Sequence, residues 1–174
     1  MMTLITGGSK CGKSSFAENM LSGFQGNKYY IATMEPYGEE AYRAIQRHRE
    51  MRRGKGFWTI ECAHNIDTLK IPNAESKCCI LLECLTTLCA NEMFGPSGIT
   101  DPSDKLMLGL ESLNKQSDEF VVITNEVAAD GLIYPAETME YIRVMSSINR
   151  VAAGLADRVV ECVCGIPILL KGAL

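Results

Sequence analysis

Short β-rich runs alternate with longer helical patterns along this chain. The apolar runs predict strands over 3–6, 29–32, 78–83, 120–124 and 159–163. Several show no two-residue alternation, the mark of strands covered on both faces, as in a parallel sheet between helical layers. Helical patterns fall between them, over 13–21, 39–53, 86–92, 104–115 and 135–156. In the last of these Pro135 suits a first turn, and Ile142, Met145, Ile148 and Ala152 recur at helical spacing. Gly165 breaks the pattern, and 166–171 reads as a final strand turning back antiparallel to its neighbour. Strands alternating with helices specify an α/β sheet. No repeat, low-complexity tract or linker interrupts the pattern, so 1–174 reads as a single domain with a surface loop over 95–103.

Composition narrows the class. The chain is 47% hydrophobic and 22% charged, which excludes a disordered segment. A formal charge of −4 argues against a general nucleic-acid partner. No apolar run approaches the roughly 18–20 residues of a membrane span. The first eight residues lack the features of a signal peptide, so a cytoplasmic location is expected. The eight cysteines lie mostly in strand-like or helical runs and form no paired C-x-x-C units, which favours buried, reduced thiols over a disulfide scaffold or zinc.

The strongest chemical signal is Gly7-Gly8-Ser9-Lys10-Cys11-Gly12-Lys13-Ser14, a full G-x-x-x-x-G-K-[ST] match between a strand and a helix. Glycines let the backbone curl around an anion, and the following helix adds its positive end. Lys13 is expected on the β/γ-phosphates and the Ser14 hydroxyl on Mg²⁺. Cys11 lies inside the loop, where the helix end and Lys13 favour a reactive thiolate. The plainer reading is a small residue tolerated at a variable position.

A phosphate loop calls for a second, acidic metal partner, and Glu83 at the end of the run 80–83 supplies one. A carboxylate at a strand end also suits a chain simply entering solvent. Asn125-Glu126 forms another polar pair at a C-terminal strand edge, where ligands of open α/β sheets bind. Six of the seventeen basic residues, Arg43, Arg47, Arg49, Arg52, Arg53 and Lys55, are clustered. They fit either a solvated helix face or a site for a small anion. His64 has no obvious partner. His48 shares a helical face with Ala41, Ile45 and Arg52 and is flanked by Arg49. Arginines around it would disfavour the imidazolium and keep the ring neutral and nucleophilic. The same spacing fits an ordinary surface histidine.

Several blocks together are more specific than the loop alone. They are 5–8 through 12–14 with Ala17-Glu18, Tyr30-Ile31-Ala32-Thr33, Ile45 to Arg52 around His48, and Trp58-Thr59-Ile60-Glu61. Leu81 to Thr86, Thr124-Asn125-Glu126-Val127 and Gly165-Ile166-Pro167 with Lys171 complete the set. In their order and spacing, nearly end to end, the chain resembles the bifunctional adenosylcobinamide kinase / adenosylcobinamide-phosphate guanylyltransferase family. The resemblance implies a RecA-like P-loop NTPase fold, mostly parallel with one antiparallel strand, assembled as a homotrimer. It implies phosphorylation of adenosylcobinamide by a nucleoside triphosphate, GTP or ATP. Transfer of GMP from GTP through a guanylyl-histidine then follows, and His48 occupies that histidine's position. The implied nucleotide contacts are Gly7, Gly8, Ser9, Lys10, Cys11, Gly12, Lys13, Ser14, Ala32, Thr33, Met34, Arg49, Glu50, Met51, Arg52, Glu61 and Glu83, with Ser14 and Glu83 on Mg²⁺. Three stretches depart from the family pattern. Lys10-Cys11 replaces the usual Arg-Ser, 128–135 is longer than the common glycine-rich form, and 37–40 lacks part of the acidic pattern. The competing readings are a P-loop kinase without nucleotidyl transfer and a nucleotide-binding regulator without turnover.

Overall fold

The computed structural model describes every residue except Tyr37, Pro96, Ser97, 128–130 and Leu174, and leaves out the side chains of Glu40, Ala41, Ala44 and Met51. The elements run β1 (Met2–Thr6), α1 (Lys13–Met20), β2 (Asn27–Ala32), α2 (Gly38–Arg52), β3 (Phe57–Glu61), β4 (Cys78–Glu83) and α3 (Leu85–Met93). Then follow β5 (Phe94–Gly95), β6 (Gly98–Ile99), α4 (Ser103–Lys115), β7 (Glu119–Ile123), α5 (Ala136–Leu155), β8 (Arg158–Val163) and β9 (Ile166–Lys171). The seven-stranded sheet has the order β3-β2-β4-β7-β1-β8-β9. Every pairing in it is parallel except β8 with β9.

Both faces of the central strands are covered, which explains their continuous apolar sequences. Leu4, Ile31, Ile80, Leu82, Phe120 and Val122 pack in one cluster with residues of α3, α4 and α5. Ile5, Tyr30, Cys79, Leu81, Val121 and Ile123 pack in a second with Ala17 of α1. In α5 the buried stripe is Val144, Met145, Ile148 and Ala152, and Ile142 is half-buried. The buried cysteines behave as small core residues: burial first pushes the Cys79 and Cys89 thiols up to about 12.

Two features differ from the pattern-based expectation. The strand β3 is not predicted, because as a sheet edge its side chains are half-buried or exposed and Trp58 is 70% accessible. The 95–103 stretch carries the short β5–β6 hairpin on its described residues.

Gly109 lets α4 lie close to the segment around Ile66. A Cβ there would stand 2.5 Å from Ile66 Cγ1 and 3.0 Å from the Asp67 backbone nitrogen. Gly109→Ala therefore lowers stability by about 1–3 kcal/mol despite alanine's better helix propensity. Urea denaturation checks this, and a stabilised variant would refute the close-approach argument.

Candidate active site

The phosphate loop joins β1 to α1 through backbone that favours glycine. Gly7 has φ 132°, Gly12 has φ 104°, and Lys10 between them adopts φ 60°. A Cβ on Gly7 would lie 2.5 Å from the Cys162 carbonyl oxygen of β8, so the loop start admits no side chain without displacing backbone. Gly12 packs against Gly165, whose Cα would be 3.2 Å from an added Cβ, and Gly165 N–H donates to Cys11 O at 2.9 Å. The β8–β9 turn thus braces the loop. Cys164 and Gly165 form this turn, both at positive φ (49° and 82°) as tight two-residue hairpins require. No side chain caps α1, which leaves its first-turn N–H groups free for an anion.

Lys13 is buried, and its Nζ donates to Gly7 O at 2.9 Å and Gly8 O at 2.6 Å. The Cys11 sulfur is 3.8 Å from the same nitrogen. Ser14 donates to Glu83 Oε1. Glu83 ends β4, and β7 alone separates that strand from β1. Its Oε2 accepts from Tyr30 OH at 2.8 Å and stands 3.6 Å from His48 Nδ1. Burial first, then the Glu83 carboxylate, pushes the Tyr30 hydroxyl far above its ordinary range, so it remains a donor.

These groups share a cavity of about 420 Å³, which the loop residues Ser9 to Ser14 line from one side. Ala32, Met34, Glu61 and Glu83 line it from the sheet, and Ile45, Arg47, His48 and Arg52 from α2. Ile45, His48 and Arg52 do share one helical face. The basic cluster divides. Arg43 and Arg53 pair with Glu39 and Glu50 in solvent, whereas Arg47 and Arg52 line the cavity.

Several expected contacts fall elsewhere. Thr33 is fully buried; its hydroxyl donates to Cys84 O at 2.9 Å and accepts from Cys84 N–H at 2.7 Å. It ties the ends of β2 and β4 together instead of facing the cavity. Glu50 is two residues from His48 and so on another face of α2, where it meets Arg53 at 3.1 Å. Gly7 and Gly8 reach the site through their carbonyls on Lys13. The Met51 side chain, Ala41 and part of the 128–135 segment lie outside the described residues. His64, read as partnerless, meets Glu35 Oε1 at 2.8 Å.

The surroundings of His48 also need correction. Arg49 is drawn to Glu61 at 3.1 Å, and the Arg52 guanidinium stacks on the Tyr30 ring 3.3 Å from its centroid. The charged group facing the imidazole is the Glu83 carboxylate. A proton on Nδ1, the side toward Glu83, would leave a lone pair on Nε2. The sequence did not single out Tyr30, Cys84, Thr87 and Ile123 as cavity residues. Asn125, noted at a strand edge, does line the cavity, held by Asn125 N–H donating to Thr86 Oγ1 at 2.9 Å.

Ser14 and Glu83 offer the hard oxygen donors that Mg²⁺ prefers. Among the described residues no group of three or more His, Cys, Asp or Glu converges. Further ligands would come from phosphate and water, the usual arrangement for Mg²⁺.

A strand-loop-helix phosphate cradle, with an acidic strand end one strand removed, defines a P-loop NTPase. Solved structures agree on the fold. A type III secretion ATPase from pathogenic bacteria superposes with TM-score 0.54 at 10% identity, covering 92% of this chain and 51% of that one. A Pyrococcus horikoshii protein gives 0.56 at 9% identity, over 99% and 87%. The chain belongs to the cobinamide kinase / cobinamide phosphate guanyltransferase (CobU) family, whose model matches residues 3–170. The bifunctional adenosylcobalamin biosynthesis protein CobU of Salmonella typhimurium is 31% identical, covering 98% of this chain and all of that protein. CobU of Escherichia coli is 29% identical over 98% of this chain and all of its own length. CobP of Pseudomonas aeruginosa is 28% identical over 99% of this chain and 98% of its own.

Proposed function

We propose that this chain phosphorylates adenosylcobinamide with ATP or GTP and then transfers GMP from GTP to the resulting phosphate through His48. The observation that carries the reading is His48 itself, delivered by α2 into the phosphate-loop cavity with Nδ1 against Glu83. Phosphoryl transfer needs mainly positioning and charge stabilisation, which the loop backbone, Lys13 and the cavity arginines supply. Bound by Ser14 and Glu83, Mg²⁺ would neutralise charge on the phosphates.

In the second reaction Nε2 attacks the α-phosphorus of GTP. The N–P bond forms as the bond to the β-phosphate bridging oxygen breaks, and pyrophosphate leaves with that electron pair. The positive charge arising on the imidazole faces the Glu83 carboxylate. A phosphate oxygen of adenosylcobinamide phosphate then attacks the same phosphorus, the N–P bond breaks, and neutral His48 returns. Incubation with α-labelled GTP and Mg²⁺, followed by denaturing electrophoresis, tests this. Label should stay with the protein, resist alkali, yield to acid and disappear with pyrophosphate. An unlabelled protein would leave a kinase alone or a binding protein.

The continuous sheet supports reading 1–174 as one nucleotide-binding domain. No helix among the described residues is long and apolar enough to cross a membrane, which is compatible with work in the cytoplasm. The edge strand β9 exposes Ile166, Ile168, Leu169 and Leu170. Such an apolar row supports assembly, and the homotrimer is the assembly proposed from the family resemblance. Light scattering at assay concentration should report three chains; a monomer refutes it.

A further inference from the structure

Tyr30 touches both halves of the site, although the phosphate-loop chemistry assigns it no part. Its hydroxyl donates to Glu83 Oε2 at 2.8 Å, while Ser14 holds Oε1. Its ring face carries the Arg52 guanidinium, whose central carbon is 3.3 Å from the ring centroid. Tyr30 is 3% and Arg52 7% exposed, so both contacts are shielded from water, where charge-assisted hydrogen bonds and cation–π contacts are strongest. Arg52 stands four residues beyond His48 and therefore on the same face of α2. Arg49 with Glu61, another tie between α2 and the sheet, is half-exposed and correspondingly weak.

We propose that Tyr30 is a positioning residue with two separable tasks: its hydroxyl holds the Glu83 carboxylate for the metal, and its ring holds Arg52, and through it the His48 segment of α2, over the cavity. The inference rests on the reading of Glu83 and Ser14 as metal ligands and of His48 as GMP carrier. The physical case is one of freedom removed. A glutamate carboxylate turns easily about its last torsion, and His48 Nδ1, 3.6 Å from Oε2, is too far to replace the Tyr30 hydrogen bond. Without the ring, the Arg52 cation loses its buried platform, and its Nη1 already has no hydrogen-bond partner among the described residues.

Two variants separate the tasks. Tyr30→Phe keeps the ring and removes the donor, whereas Tyr30→Leu removes both; Tyr30→Met replaces the latter if leucine fails to fold. Mn²⁺ binding, followed by electron paramagnetic resonance with a non-hydrolysable GTP analogue, reads the hydroxyl task. The rate of GMP labelling of His48 at saturating Mg²⁺ reads the ring task. Tyr30→Phe should weaken Mn²⁺ binding by about tenfold or more, and at saturating Mg²⁺ it should slow labelling less than Tyr30→Leu does. Tyr30→Leu should weaken Mn²⁺ binding similarly and also slow labelling, by about tenfold. Wild-type Mn²⁺ affinity in Tyr30→Phe overturns the hydroxyl task. Equal labelling rates in the two variants overturn the ring task. A wild-type protein that takes no label refutes the GMP-carrier reading and the ring task with it, and the Mn²⁺ comparison still decides the other.

Discussion

His48→Asn should take up no label from α-labelled GTP, and its guanylyl transfer should fall by at least about a thousandfold. Asparagine offers Glu83 an amide N–H donor but has no nucleophilic lone pair. Kinase activity should persist within about tenfold of wild type, because the loop, Lys13, Ser14 and Glu83 remain in place. The remaining loss reflects Glu83, whose Oε2 has His48 Nδ1 at 3.6 Å and would rearrange slightly when the ring is removed. Separate assays of ATP-dependent phosphorylation and of GTP-dependent transfer resolve the two effects. A labelled His48→Asn protein would move the covalent step to another residue. Equal loss of both activities would mean that His48 serves the fold or the shared site and not one reaction.

Lys13→Ala should behave differently, disabling both reactions by at least about a hundredfold. Without substrate, the ammonium donates to the carbonyls of Gly7 and Gly8, so it rests on the loop it serves. A triphosphate presents stronger, charged acceptors, and the lysine exchanges carbonyls for phosphate oxygens. Removing it takes from the triphosphate the buried counter-charge held by the loop itself and leaves only the cavity arginines. The fold should survive, since the loop remains braced by Gly165 and by the Cys162 backbone. Titration calorimetry with GTP and circular dichroism check the two halves of this statement. Near-normal binding and turnover would mean that the phosphates lie elsewhere.

What could be read in the sequence was what depends on neighbours along the chain. The strands 78–83 and 166–171 match β4 and β9 end for end, because an apolar run bounded by a charge or a turn needs no distant partner to be recognised. The loop 7–14 was legible for the same reason. β3 was not, since an edge strand with half its side chains in solvent lacks the continuous apolar signature. In the site, Glu83 was legible as the carboxylate ending a buried run, but Tyr30 reads as one more core aromatic. Only the pairing of β2 with β4 and the packing of α2 against the sheet turn its hydroxyl and ring into contacts with Glu83 and Arg52. The arginine-rich setting expected for His48 failed similarly: chain proximity put Arg49 and Arg52 beside it, whereas Glu61 of β3 and Tyr30 of β2 claimed their side chains. The place of Glu50 on another face of α2 from His48 was legible from helical geometry alone.

The brace of Gly165 against the phosphate loop bears on the order in which the molecule can be completed. β1 pairs with β7 on one side and β8 on the other, so the strand that launches the loop has both of its neighbours in the C-terminal half of the chain. The Met2 N–H donates to the Asp157 carboxylate across 155 residues of sequence. The most recognisable motif in the protein is therefore among its least local structures. Until β7, the β8 strand and the Cys164–Gly165 turn have closed around it, the segment 7–14 lacks the backbone partners that shape it, and closing such long loops is slow. Nucleotide affinity accordingly reports on the finished sheet.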